Sequence, residues 1–236
     1  MLVSYPRSGN TWTRFVLANL MSATPADFVN LEERVPDIYV SSALHIRRLP
    51  PPRVIKSHEP YTPSYGRVVY LVRDPRDVAA SYLRFLHRAG AQDSRVTLEA
   101  FTIPFLNGQG NWDSFGSWGD HVSGWLSRQV DDDFLLVRYE DLLVDTVREI
   151  DRVARFCGIL TDARSIASAV ASSSPERMRA FEQSQAKISK SLHFRESPIP
   201  FVGPAREGAG RALMDADTLA GFESTLGRIM RSLGYA

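Results

Sequence analysis

Five apolar residues in a row, Val68-Val69-Tyr70-Leu71-Val72, lead directly into Arg73-Asp74-Pro75. A strand with one wet face alternates polar and apolar residues. An unbroken run predicts a strand buried on both faces, as in the middle of a parallel sheet. The Asp-Pro pair behind it is a helix start, with aspartate as N-cap and proline in the first turn. Parallel strands need crossover connections, so the rest of the chain must alternate strands with helices.

It does. Residues 1–5 read as a short strand stopped by Pro6, followed by a Ser/Gly/Asn/Thr loop at 7–11. Trp12, Phe15, Val16, Leu20 and Met21 then recur at helical spacing. Residues 24–52 hold Pro25, Pro36 and Pro50-Pro51-Pro52 and read as loop, with one short helix near 31–35. A second strand is expected at 53–57, the buried strand at 68–72, and a helix from Asp74 to about His87. Residues 90–116 read as loop-rich, 118–128 as a helix and 134–139 as another buried strand. Helices are expected at about 145–157, 162–171, 175–186 and 215–232, with a polar Ser/Pro/Gly-rich stretch at about 187–211. No repeat and no low-complexity segment interrupts this order.

The composition fits one globular domain over 1–236. Apolar residues make up 44% and charged residues 23%, which excludes a disordered chain, a collagen-like fibre or a coiled coil. Net charge is +1, so no global basic field recruits nucleic acid. No apolar run approaches the roughly 20 residues of a membrane span, and Met1–Tyr5 is too short for a signal peptide. The lone Cys157 can form neither an internal disulfide nor a cysteine-rich zinc site. These features are expected of a cytoplasmic protein. Only three of the 28 basic residues are lysine (Lys56, Lys187, Lys190), an arginine bias suggestive of a GC-rich, bacterial genome.

The junction Tyr5-Pro6-Arg7-Ser8-Gly9-Asn10-Thr11-Trp12 carries the strongest chemistry. A strand turning into a helix start exposes unpaired N–H groups, and the macrodipole favours an anion there. Ser8, Asn10 and Thr11 add donors, Arg7 adds a permanent fork of charge, and Gly9 allows close backbone approach. It is not a Walker A loop, because Asn-Thr-Trp follows Gly9 where a second glycine and Lys-Ser/Thr would be needed. Arg73 leaves the carboxyl end of the buried strand, where ligands sit in open α/β sheets. Lys56-Ser57-His58 places a cation and a titratable imidazole at another strand end.

Three blocks together resemble the sulfotransferases that use 3′-phosphoadenosine-5′-phosphosulfate (PAPS). The octet is similar to that family's Tyr-Pro-Lys-Ser-Gly-Thr-Thr-Trp loop for the 5′-phosphosulfate, departing at Arg7 and Asn10. Tyr70–Tyr82 resembles its 3′-phosphate block, with Arg73 and Ser81 at the family spacing. Lys56-Ser57-His58 resembles its Lys-Thr-His. The resemblance implies a P-loop-like three-layer α/β fold with a mainly parallel sheet, and sulfonate transfer from PAPS to a small-molecule or natural-product hydroxyl. It implies His58 as general base, Lys56 and Arg7 against sulfonate charge, and Trp12 and Tyr139 at the adenine. Ser173, in Ser172–Met178, is either a base contact or the N-cap of the helix at Pro175, two roles that can coexist. The family's C-terminal Arg-Lys-Gly reads Arg206-Glu207-Gly208 here, so Arg206 or Arg211 must serve the 3′-phosphate. The product would be adenosine 3′,5′-bisphosphate (PAP), and no metal is needed. This C-terminal block is most similar to that of short bacterial enzymes acting on natural products.

Acceptor walls are expected from 24–52, 90–116 and 187–205. Trp112, Phe115 and Trp118 form either an aromatic acceptor face or plain core. His45, His87, His121 and His193 are read as surface or satisfied core residues. The rival readings are a nucleotide kinase of related fold and a non-catalytic nucleotide-binding scaffold. Neither a nucleic acid nor a membrane is expected as partner, and the motifs leave the oligomeric state open, a homodimer included.

Overall fold

A computed structural model describes residues 1–109, 113–185 and 197–235. Four strands, β1 (Leu2–Ser4), β2 (Lys56–Ser57), β3 (Val68–Val72) and β4 (Phe134–Arg138), form one parallel sheet in the order β2-β1-β3-β4. The register pairs Leu2 with Lys56 and Val69, and Val72 with Arg138. All four strands therefore end at the same edge. The chain goes from β1 to β2 on one side and then to β3 on the other, so this edge carries a topological switch point beside β1.

Successive residues of β3 feed opposite faces. Val68, Tyr70 and Val72 join a core with Trp118, Trp125, Phe105 and Phe222. Val69 and Leu71 join another with Phe15, Leu17, Ile150 and Val153. On the first face lie α3 (Pro75–Ala89), α4 (Leu98–Leu106), α5 (Trp118–Leu126) and α10 (Ala216–Ser232). On the second lie α1 (Asn10–Leu20), α7 (Thr146–Cys157) and α8 (Ala163–Ser172). The expected three-layer α/β arrangement is present.

Several boundaries differ from expectation. The second strand shrinks to Lys56–Ser57, because only these residues pair in register with β1. The loop-rich reading of 90–116 gives way to α4, a helix capped by Thr97 with Phe101 and Phe105 buried on one face, despite Pro104 inside it. In residues 24–52 the short helix expected near 31–35 is a turn of 3-10 helix at Leu31–Glu33, and beside it stands the short α2 (Ala43–Arg48) capped by Ser42. Tyr139 does not end β4 but begins α6 (Tyr139–Val144). The helix expected at 175–186 is α9 (Pro175–Gln185), and its expected last residue lies outside the described residues. Trp112, Lys187, Lys190 and His193, together with 110–112 and 187–196 of the expected acceptor walls, also lie outside them. Among the described residues no helix is long and apolar enough to cross a membrane.

Candidate active site

The shared strand edge opens into a cavity of about 580 Å³. Because β1, β2, β3 and β4 end in register, Arg7, His58, Arg73 and Tyr139 all follow strand ends and all line it. Gly9, Asn10, Thr11, Trp12, Lys56 and Ser81 line it as well. Most of the residues singled out by sequence thus converge on one space.

The β1–α1 loop leaves donors without protein partners. The N-cap Gly9 has φ 94° and offers no side chain, so α1 starts without a capping bond, whereas α3, α4, α5, α7, α8 and α10 each have theirs. Its first-turn N–H groups are left to a ligand. A Cβ on Gly9 would lie 2.5 Å from the Tyr139 ring, so the loop's close packing also requires glycine. Arg7 takes φ 71°, a left-handed conformation uncommon for a side-chain-bearing residue and typical of functional loops. Three buried polar atoms here have no protein partner: Ser8 Oγ, Asn10 Oδ1 and Arg73 Nε. Buried polar atoms are costly unless bonded, so these fit a polyanionic ligand.

The cations cluster. Arg7 Nε donates to Ser81 Oγ (3.2 Å) and Nη2 to the Phe201 carbonyl (3.3 Å), with its guanidinium 5.0 Å from the Phe85 ring centre and 5.1 Å from that of Phe201. Arg73 donates to the Arg7 carbonyl (3.3 Å), pairs with Asp77 (3.4 Å) and lies 4.4 Å from the Tyr139 ring centre. Burial, and then Arg84, Arg73 and Arg88, push Arg7 below the usual guanidinium range. Such crowding of like charge is relieved by an anion.

His58 occupies the other end. Its Nδ1 lies 2.7 Å from the Ser4 carbonyl, which can only accept, so Nδ1 carries the proton and Nε2 keeps its lone pair. Burial, then the Lys56 charge, hold His58 well below its ordinary value, so the ring is neutral at pH 7. The His58 carbonyl accepts from His121 Nε2 (3.0 Å), and the Tyr70 hydroxyl donates to His121 Nδ1 (2.8 Å). Burial pushes His121 down to about 4, so it is a neutral, satisfied core residue, as expected. Tyr39 stacks on His58 (6.3 Å, 14°) and Phe115 meets it edge-on (5.9 Å).

Several expected site residues stand elsewhere. Ser173 is fully buried off the cavity, its hydroxyl donating to the Ala169 carbonyl (2.8 Å) and accepting from Asn19 (2.9 Å). It contributes through its carbonyl, which accepts from Trp12 Nε1 (3.1 Å). Ser174, not Ser173, bonds the first turn of α9, through the Arg177 N–H. Arg206 and Arg211 are exposed, and neither they nor Gly208 line the cavity. Their loop is held by Asp77, which accepts from the N–H groups of Gly208 (2.9 Å) and Gly210 (2.6 Å). Phe115 faces the cavity, whereas Trp118 is core, 1% exposed.

Sequence reasoning missed Asp37, Tyr39, Arg84 and Phe85, all on the cavity wall. Arg84 and Phe85 follow Ser81 by one turn of α3, a spacing that could have placed them on its face. Asp37 and Tyr39 sit in irregular chain and carry no such signal.

A family model described as "Sulfotransferase domain" matches residues 1–209. Mouse Sulfotransferase 2B1 is 30% identical over 190 residues, 76% of this chain and 55% of that protein. Mouse Sulfotransferase 4A1 is 30% identical over 181 residues, 72% of this chain and 63% of that protein. The chain thus spans between half and two thirds of the length of these relatives. In fold it resembles mouse sulfotransferase SULT7A1 complexed with PAP (TM-score 0.75, 24% identity, 98% of this chain, 82% of that one). It also resembles retinol dehydratase in a complex with retinol and PAP (TM-score 0.79, 18% identity, 97% of this chain, 80% of that one). With the family model matched over most of its length, and with the β1–α1 loop, the arginines and the histidine gathered at one sheet edge, this chain belongs to the sulfotransferase family.

Proposed function

We propose that the protein transfers the sulfonate group of PAPS to a hydroxyl of a small-molecule acceptor, releasing PAP. The observation that carries this is the joining, in one cavity, of an uncapped helix start and an imidazole whose Nε2 lone pair is left available. The donor is a polyanion, and the loop amides, Ser8, Asn10, Thr11 and Arg7 suit its 5′-phosphosulfate. Arg73 and Ser81 suit its 3′-phosphate, and Trp12 and Tyr139 its adenine. Arg206 or Arg211 would have to turn inward to reach that phosphate, and Ser173 to serve by way of Trp12.

In the reaction His58 Nε2 takes the acceptor proton as the hydroxyl oxygen bonds to sulfur. The bond from sulfur to the phosphate oxygen breaks, and its electron pair leaves with PAP. Lys56 and the loop amides stabilise the charge that builds on the sulfonate and the departing phosphate. Arg7 acts by charge and geometry, since a guanidinium does not give up its proton. Every charge is met by a side-chain cation or an amide, so the reading includes no metal. It also includes a cytoplasmic setting, a bacterial source, and neither nucleic acid nor membrane as partner; oligomeric state plays no part in it.

The test is transfer of ³⁵S from labelled PAPS into a panel of hydroxyl acceptors, with and without EDTA. Transfer that survives EDTA is expected. Nucleotide binding with no transfer to any acceptor would favour a scaffold, and a strict metal requirement would count against the charge assignment.

A further inference from the structure

Lys56 is half-buried, and its ammonium donates to Asp37 Oδ2. The two segments are stitched together, with Lys56 N–H on the Pro36 carbonyl (2.8 Å) and Ile38 N–H on the Lys56 carbonyl (3.2 Å). Asp37 is 6% exposed and fixed from several sides. Its Oδ1 accepts from Tyr39 N–H (3.0 Å), and its own N–H donates to Glu32 Oε2 (2.8 Å). Glu32 in turn is held by Arg14 Nη2 (2.8 Å) and the Ser41 hydroxyl (3.0 Å). A rigid polar ladder thus runs from α1 to the ammonium.

We propose that Asp37 is a positioning residue for Lys56: its carboxylate fixes the ammonium at the cavity wall and keeps it a cation for the transferring group. One of the three ammonium donors is spent on Asp37, and two remain for donor oxygens. The inference rests on the reading of the cavity as a sulfonate-transfer site. Without the carboxylate, burial favours the neutral amine, which stabilises no negative charge. The other charged groups facing Lys56 leave this work to Asp37. Arg14 on α1 opposes the ammonium, Glu32 supports it but is already paired with Arg14, and His58, two residues on, is neutral. The Tyr39 ring centre, 5.6 Å from Nζ, adds a weaker attraction.

With three lysines in the chain, ¹³Cε-lysine labelling gives three side-chain signals, and Lys56→Arg identifies one of them. Lys56 should be an ammonium at pH 7 in the wild type. Asp37→Asn should lower its titration midpoint by about 1–3 pH units, the usual effect of losing an adjacent opposite charge. Asp37→Glu should restore most of the shift. In turnover, the alkaline limb of Asp37→Asn should move to lower pH by the same amount, because Lys56 is needed protonated and is lost as pH rises. A folded Asp37→Asn with an unmoved Lys56 midpoint overturns the proposal. Should that variant not fold, a neutral Lys56 at pH 7 in the wild type, or in Asp37→Glu, overturns it as well. If the wild type transfers no sulfonate, the reading of the cavity fails while the lysine titration still decides the pairing.

Discussion

At the end of the cavity where β1 enters α1, the chemistry comes from contiguous sequence. Arg7, Ser8, Gly9, Asn10 and Thr11 form one loop, and Arg73 and Ser81 lie on one strand end and the first turns of its helix. At the His58 end, the parts come from far apart: Ser4 from β1, Tyr39 and Asp37 from irregular chain, Phe115 from beyond α4, His121 from α5. The first end is dominated by cations and unpaired backbone donors. The second is aromatic, with neutral histidine at its centre. A fixed, highly charged ligand suits the first, and an apolar surface that varies with its substrate suits the second. The two ends should therefore fail differently when cut.

The largest effect is expected at the His58 end. His58→Ala should lower turnover by ~10²–10⁴, the usual range for losing a general base, with donor affinity nearly unchanged. Burial and the Lys56 charge hold His58 well below 6.5, so protonation inactivates only as pH falls through that lowered value. The wild-type kcat should accordingly stay flat from pH 7 down past 6.5. Steady-state kinetics and donor titration check both points. A near-normal turnover in His58→Ala would take the ring out of the reaction.

A smaller and opposite pattern is expected from Arg73→Ala. Its guanidinium lies over Tyr139 with Nε unbonded, and it is assigned to the 3′-phosphate. Losing a charge-assisted bond costs about 1.5–3 kcal/mol, or ~10–10²-fold in donor affinity. Adenosine-5′-phosphosulfate, which lacks the 3′-phosphate, should bind wild type and mutant alike, so the mutant loses most of its preference for PAPS. Calorimetric titration of both nucleotides measures this. Equal binding of the two by wild type would break the distinction between the ends.

The same contrast explains what could be read from sequence. The sheet was legible because an apolar run such as Val68–Val72 has one common explanation, and helix starts were legible through residues such as Asp74-Pro75. The β1–α1 end was legible as a cluster because the residues proposed for the donor sit at fixed spacing on a strand–loop–helix unit. α4 was missed because Pro104 spoke against a helix that Phe101 and Phe105 stabilise by tertiary burial. Asp37 and Tyr39 were missed because their roles depend on a bridge to β2 across 19 residues, which no local pattern announces. Arg206 and Arg211 were placed by motif alone, and the Asp77 carboxylate that draws their loop onto α3 acts over more than 130 positions.

The finest test of the comparison is Tyr39→Phe. The Tyr39 hydroxyl accepts from the His58 N–H (3.0 Å) and donates to Glu59 Oε1 (2.9 Å), while its ring stacks on the imidazole. Phenylalanine keeps the stack and removes only the oxygen. The His58 N–H then loses its partner at a partly buried position, a cost of about 1 kcal/mol for a neutral hydrogen bond. Part of that cost falls on stability, and part on the aim of the imidazole, because the bonded amide is that of His58 itself. Turnover should fall by about 2–4-fold, less than the roughly 5-fold that the whole cost would give at about 1.4 kcal/mol per factor of ten. Tyr39→Ala, which also removes the ring, should fall further and raise the acceptor KM. Donor affinity should be untouched in both, since among the described residues the hydrogen bonds and ring contacts of Tyr39 run to Glu59, His58, Lys56 and Phe115 and not to the β1–α1 loop or Arg73. If Tyr39→Phe instead weakened PAP binding and left acceptor KM and turnover alone, the two ends would not be separable, and Tyr39 would belong with the nucleotide.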